Sequence, residues 1–432
     1  MDPFSYLPIE ITEKILGNIS TQELLTATEV SSSWNRLIGK NSEAMKRITL
    51  KIHWNDEENL VNLLLKSQRN YQNVEIKNWI PNEEAEELLR QIEPSWKNVK
   101  IKQVNSVSMT KFINFLGIIE PSVKKLSLEN ISINIFDNEN RLERMEDLEF
   151  SKLEVLRLKR IRTWPFLEAF ERCKALKSLA VYPSRDAGFD VVNILLHQNS
   201  NITELETKIE AIERIEIFNM KRLSLKSFII KGSPHAFSSE RYTKFMLKLN
   251  QILMCQKETL EKFSYEGIFD IEICKVLFQM NKISSVTLGS YNELTNFNLD
   301  LNFSLLSLKI IDLRVAYNFL DTLINASPNL TKIELIYMDQ RILQLISINA
   351  MRLQTIKVLF FDANNLNIVN LLPNLQKIKI SAITRDLRHH IERIPVQNHF
   401  VKLVMENENL FNKREDDFRI QCGRFIGDEL NL

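Results

Sequence analysis

Glycine is scarce in this chain, at 9 of 432 residues, about a third of ordinary usage. That scarcity leaves no glycine-rich loop to cradle a phosphate, so nucleotide binding on a P-loop or a dinucleotide turn is excluded. Proline is also thin, at 11, and no low-complexity tract occurs, so few loose joints are expected. The four cysteines, Cys173, Cys255, Cys274 and Cys422, show neither metal-ligand spacing nor a disulfide framework. They read as packing residues in a reducing cytosol or nucleus. None of the six histidines stands in a zinc pattern, and the neighbours His389 and His390 would point apart on regular structure. No Gly-x-Ser-x-Gly elbow is present, and no apolar run has the length of a membrane span. Met1-Asp2-Pro3-Phe4-Ser5 lacks the basic lead of a signal peptide. The expectation is a soluble protein that is not itself an enzyme and that takes no metal or cofactor.

What the chain does have is a repeat, and a repeat takes precedence over any count of domains from length. The phrase apolar-x-x-apolar-x-apolar opens at Met45, Tyr71, Trp96, Val123, Leu153, Leu176, Ile202, Leu225, Leu260, Ile283, Leu308, Leu330, Leu353, Leu375 and Phe400, mostly at intervals of roughly 22 to 27 residues. Its last two apolar residues are two apart and share one face of a strand. Helical spacing follows in Ala85, Leu88, Leu89 and Ile92, in Met109, Phe112, Ile113 and Leu116, and in Tyr242, Phe245, Met246 and Leu249. Pro328-Asn329 and Pro373-Asn374 precede anchors Leu330 and Leu375, where they would stop a helix. No single unit of this kind can bury its apolar side, so the repeats must stack. Period and pattern resemble leucine-rich repeats over most of the chain. The fold class implied is α/β: a curved leucine-rich-repeat solenoid with an inner parallel sheet and outer helices.

The first forty residues follow a different pattern. Leu7-Pro8-Ile9-Glu10-Ile11 opens a first helix, on which Ile11, Ile15 and Ile19 recur every four residues while Ile9 and Leu16 fall on an adjoining face. Ser20 with Glu23 reads as a capping box opening a second helix, and Ser31 or Ser32 begins a third. So small a unit carries more apolar surface than it can bury alone. The order Leu-Pro-x-Glu-Ile, Ile-Leu, Leu-Leu, Val-x-x-x-Trp resembles the F-box, over about a tenth of the chain. Ile19, Glu23 and Ser32 depart mildly from that family's commoner residues. The resemblance implies a three-helix F-box cap that binds the Skp adaptor, and through it a cullin, by Leu7, Pro8, Ile11, Ile15, Leu24, Leu25, Val30 and Trp34. It also implies a substrate-recognition subunit of a ubiquitin ligase; a repeat scaffold uncoupled from ubiquitin is the alternative. Three segments are expected: an F-box domain over 1–44, repeats over 45–408, and a tail or cap over 409–432. The third helix should break at Gly39-Lys40-Asn41-Ser42, with Met45 beginning the first strand.

Between the strand anchors, the residues expected on the concave face are basic. They are Arg47, Lys51, Lys77, Lys100, Lys102, Lys125, Arg157 and Lys159, against Glu75 and Glu129. Arg314, Lys332, Lys357, Lys377, Lys379 and Lys402 extend the sign, while Glu204, Glu206 and Glu266 interrupt it. The whole chain is nearly neutral, with 56 basic and 55 acidic residues, so charge is segregated and the face would attract an acidic or phosphorylated target segment. Two other readings stay open: lysines that merely keep an exposed sheet soluble, and nucleic acid, which interleaved aromatics would favour but which this face lacks. The longest interval carries Gly232 to Ser239, either a plain surface loop or a projection with Phe237 available for contact. The segment Asp137 to Arg141 reads as solvated, and the residues after Phe411 as a cap on the last repeat.

Overall fold

The computed structural model describes residues 6–53, 69, 71–78, 90, 96–134, 148–162, 169–171, 173–182, 189–232, 237–268, 270–289, 298–311, 317–362, 372–382 and 402–405. Contacts divide the chain into two compact units, Met1–Ile229 and Ile230–Leu432. The first begins with four helices, α1 (Ile9–Asn18), α2 (Thr21–Val30), α3 (Ser32–Lys40) and α4 (Ser42–Met45). Strands β1 (Thr49–His53), β2 (Asn73–Lys77), β3 (Asn98–Ser108), β4 (Lys125–Asn134), β5 (Val155–Lys159), β6 (Ser178–Tyr182) and β7 (Glu204–Lys208) follow, and β8 (Ser227–Lys231) lies at the division. The second unit holds β9 (Lys262–Tyr265), β10 (Ser285–Leu288), β11 (Ser307–Ile310), β12 (Lys332–Asp339), β13 (Thr355–Asp362), β14 (Lys377–Ala382) and β15 (Lys402–Met405).

Within each unit neighbouring strands pair in parallel and in chain order, as a right-handed series of strand, crossover and strand requires. In β1 to β6 two apolar side chains per strand point inward, and in β7 buried Thr207 takes the second place. In the first unit the ladder aligns Leu50, Val74, Val99, Leu126, Leu156, Leu179 and Leu205, and beside them Ile52, Ile76, Ile101, Leu128, Leu158 and Val181. Helices cover that face. On Met109–Ile119 the residues Met109, Phe112, Ile113 and Leu116 are buried, and on Ser239–Cys255 so are Phe245, Met246 and Leu249. The leucine-rich-repeat fold is therefore present in both units. Cys173 and Cys274 are buried among these residues. Burial pushes the Cys173 thiol up to about 12 and that of Cys274 further, so both stay protonated.

Side chains just before the strand anchors stitch one repeat to the previous one. Lys152, Asn201, Ser304, Asn329 and Asn374 donate to the carbonyls of Pro121, Lys174, Asn281, Phe303 and Met351, which stand two residues before the preceding anchor. Asn329 and Asn374 thus hold turns together, a role beyond stopping a helix. Asn78 and Arg160, directly after β2 and β5, and Gln103 and Asn130, within β3 and β4, each occupy the left-handed region, seven residues after anchors Tyr71, Leu153, Trp96 and Val123.

Two repeats differ in register from the sequence reading. Val74 pairs with Leu50 and Ile76 with Ile52, so the first inward pair is Leu50 and Ile52. Met45 ends α4 instead of opening a strand, because the Asn41 Oδ1 accepts the Ala44 N–H at 2.8 Å and caps the start of that short helix. In the second unit Leu305, not Leu308, is the anchor. Buried Asn302 decides this: its Oδ1 accepts the N–H groups of Ser304 and Leu305 at 3.0 Å, and its Nδ2 donates to Phe278 and Met280 carbonyls at 3.0 Å. Phe237, which one of the two readings of its segment left available for contact, lies edge-on to Phe245 with the Arg241 guanidinium 4.0 Å from its ring centre. The helical pattern at Ala85, Leu88, Leu89 and Ile92, the segment 137–141, His389, His390, Cys422 and the tail after Phe411 lie outside the described residues.

Gly289 follows β10 where two turns come into contact. A Cβ there would lie 2.3 Å from the carbonyl oxygens of Glu266 and Gly267, and backbone atoms cannot rotate away. Gly289→Ala is expected to destabilise the second unit by about 1–3 kcal/mol, read as a lower denaturation midpoint. An unchanged midpoint would refute the close approach.

Candidate functional site

The starts of α2, α3 and α4 are each capped by a side chain, whereas α1 begins after Pro8 without one. The Ser20 N–H donates to the Glu23 carboxylate at 2.5 Å and the Ser20 Oγ accepts the Glu23 N–H at 3.2 Å, completing the capping box. These bonds hold the Glu23 carboxyl below the usual carboxylate range. Ser31 caps α3 by accepting the Trp34 N–H at 3.2 Å. The helices close on Leu16, Leu24, Ala27, Ile38, Ala44 and Met45 together with Ile48 from the first repeat, and Ile19, Trp34, Leu37 and Tyr71 pack against this cluster. Helical unit and first repeats thus share one core.

The apolar residues left outside that core lie on α1 and α2. Leu7, Ile11 and Ile15 recur at i, i+4, i+8 and are exposed, as is Pro8, with Tyr6 at 70% and Ile9 at 68% beside them. Leu25 and Val30 are exposed on α2, Val30 at 65%. Trp34 is half-buried against the core. Leu24 departs from its expected contact role. It is 0% exposed, because it sits one position from Leu25 and the helix turns about 100° per residue, carrying the two to different faces.

Arg47 also leaves its expected place on the open face of the sheet. It precedes β1, and its guanidinium donates to the carbonyls of Leu16 and Gly17, at 3.1 and 3.0 Å, and of Ile19. A helix C-terminus offers unsatisfied carbonyls and partial negative charge, which draw the cation inward. Arg69 makes a second tie, to the Asn35 side chain and the Tyr71 hydroxyl.

The other expected cations of the first unit do lie among the outward rows. One row runs Lys51, Glu75, Lys100, Ser127, Arg157, Ala180 and Glu206; the next runs His53, Lys77, Lys102, Glu129, Lys159 and Tyr182. Glu75 takes Lys102 at 3.1 Å and Lys77 at 3.7 Å. The Lys159 ammonium lies 4.9 Å over the Tyr182 ring, whose hydroxyl donates to Glu206. A third row holds Asn73, Asn98 and the expected Lys125, and the amides of the two asparagines bond at 2.5 Å. In the second unit Glu334 is clasped by Lys309 at 2.9 Å and Lys357 at 3.3 Å. Neither Glu334 nor Lys309 was foreseen, although their interleaving with the anchors is the same signal that exposed the others. Lys332 stands on β12 with Glu334, and Lys377 and Lys379 on β14, while Arg314 and the Lys402 side chain lie outside the described residues. Among the described residues no group of three metal-ligating side chains occurs, and no helix is long and apolar enough to cross a membrane.

Burial raises the Glu75 and Glu334 carboxyls, but the flanking lysines outweigh it and the net effect is below the ordinary value. A depressed folded value contributes stability above the unfolded value, lost as pH falls through the folded one. Wild type is therefore expected to exceed Glu75→Gln and Glu334→Gln in stability at neutral pH, with the gap closing below about pH 4.5. Denaturant midpoints across pH check it, and a gap that widens in acid would refute the clasp.

A ladder of strand-and-helix repeats, led by a helical unit with apolar side chains left uncovered, defines a leucine-rich-repeat protein with an N-terminal helical module. Residues 4–51 match the F-box-like family model, so this chain carries an F-box-like domain ahead of its leucine-rich repeats. Among solved structures it is similar to the complex of Rad7 and Elc1 in yeast, at 12% identity and TM-score 0.42 over 92% of this chain and 90% of that one. It is also similar to the leucine-rich repeat-containing protein LegL7 from Legionella pneumophila, at 12% identity and TM-score 0.36 over 70% and 97%. No curated protein matches the sequence.

Proposed function

We propose that this chain is a target-recognition subunit of a Skp–cullin–F-box ubiquitin ligase, acting in the cytosol or nucleus. The observation that carries this reading is the set of uncovered apolar side chains on α1 and α2, within the stretch that matches the F-box-like model. Large apolar groups in clusters on a surface mark a protein interface. The repeats present a second, charged surface on the outward rows of their strands, suited to a target protein. The chain contributes position and no catalytic group: it raises the effective concentration of a target lysine near ubiquitin activated by partner enzymes. The common core under the helices and the first repeats supports a fixed orientation of module and sheet within the first unit.

The test is co-purification of the full chain with a Skp adaptor and a cullin, followed by proximity labelling. Recovery of both, with labelled proteins that accumulate when the proteasome is blocked, is the expected result. Failure to retain the adaptor would leave a repeat scaffold without a role in ubiquitin transfer.

A further inference from the structure

The turns that lead into β11 to β14 carry an apolar row on their open side. Phe303, Pro328, Met351 and Pro373 each stand two residues before an anchor, at the same place in successive repeats, and all are exposed. In the two repeats before them that place holds Glu258 and Asn281. Leu301 and Leu306 widen the row beside Phe303, and Ile348 widens it beside Met351; these side chains, with Phe303 and Met351, are each between 45 and 63% exposed. The backbone of the turns is already engaged, since the Asn329 and Asn374 amides donate to the Phe303 and Met351 carbonyls at 2.7 and 2.9 Å. The row therefore offers side chains, not the free backbone that strand addition uses.

At about 100 Å² for each half-exposed side chain, the patch comes to roughly 500 Å² of apolar surface. A stable pair of proteins covers about 800 Å² on each partner, and homodimer interfaces are about 65% apolar. The patch thus supplies the apolar share that one self-association needs, and the polar residues around it supply the rest.

Charge selects the arrangement. Asp300 lies beside Leu301 at one end and Arg352 beside Met351 at the other, both exposed. Among the described residues neither forms an ion pair, and Arg352 donates to the Asn329 side chain at 2.5 Å. A two-fold axis along the row would set Arg352 against Arg352. An axis across the row at Pro328 sets Asp300 of each copy against Arg352 of the other, and Phe303 against Met351. Lys282, one repeat further out, then faces Asn374.

We propose that a second copy of this chain covers the row, in a two-fold pair whose rows run antiparallel and cross at Pro328. Neither the α1 stripe nor the outward rows of the sheet take part, so the pair would carry two F-box-like modules and two charged sheets.

Sedimentation velocity of the full chain over about a hundredfold range of concentration reads this directly. Wild type is expected to shift from one chain to two as concentration rises. Phe303→Asp should weaken the association about a hundredfold or more, because a substitution enters a two-fold pair twice, and Met351→Asp should do the same from the other end. Leu247→Asp, exposed on the helix Ser239–Cys255 and outside the row, should leave it unchanged. Asp300→Arg and Arg352→Asp should each weaken it about tenfold. Mixed together they should pair as tightly as wild type, since each copy then meets the opposite sign. An unchanged denaturation midpoint reports that each variant is folded. A wild type that stays single at every concentration would overturn the pairing, as would association that survives both Phe303→Asp and Met351→Asp. Charge variants that stay apart when mixed would overturn the antiparallel arrangement. A single-chain wild type whose row captures a different protein, lost in Phe303→Asp, would overturn self-pairing and give the row to that partner.

Discussion

Aspartate at both Ile11 and Ile15 is expected to weaken capture of a Skp adaptor by about a hundredfold or more, with the melting temperature almost unchanged. Both side chains are exposed on one stripe of α1, so in the free chain the substitutions exchange apolar surface for carboxylates in water. Surface changes of that kind stay within about 0.5 kcal/mol of neutral. In a complex the same positions would be covered, and each carboxylate would lose its hydration without gaining a partner, a cost of several kcal/mol per ion. Biosensor affinity paired with calorimetry checks both halves. Unimpaired capture would remove the stripe from the interface and the proposed function with it.

Leu24→Ala should behave in the opposite way. Leu24 is fully buried in the cluster that also holds Leu16, Ala27, Ile38 and Ile48, and truncating such a leucine costs about 2–5 kcal/mol through lost transfer energy and the cavity left behind. Because Ile48 and Tyr71 belong to the same packed group, the loosening should reach β1 and β2, and faster amide exchange there would report it. Leu24→Met, which roughly conserves volume, should cost less than about 1.5 kcal/mol. If Leu24→Ala instead lost adaptor capture at full stability, the side chain would have to reach a partner, contrary to its burial.

Local rules carried much of this architecture into the sequence. Each anchor phrase needs only its own strand, since alternation alone sends residues such as Val74 and Ile76 to one face and Glu75 to the other. The capping box at Ser20 and Glu23 is likewise a matter of four consecutive residues. Register failed at two asparagines: Asn41 caps the short helix that ends at Met45, and Asn302, through bonds to carbonyls of the preceding repeat, moves an anchor to Leu305. Both asparagines look like ordinary loop residues until the groups they satisfy are known. Arg47 was misplaced for a related reason, since the carbonyls that attract it come from α1, about thirty residues earlier.

The charged face divides along the same line. Which side chains point outward follows from the period-two geometry of a strand, and the sequence alone therefore determined the repeat, the inward rows and the basic character of the outward ones. Which of those cations remain uncommitted was decided only by tertiary structure, because Glu75 meets Lys102, and Glu334 meets Lys309, across strands some 25 residues apart. Burial of Leu24 beside an exposed Leu25 was decided there as well. A side chain's pattern is set by its own backbone, but its partners and its cover come from whatever the fold brings alongside.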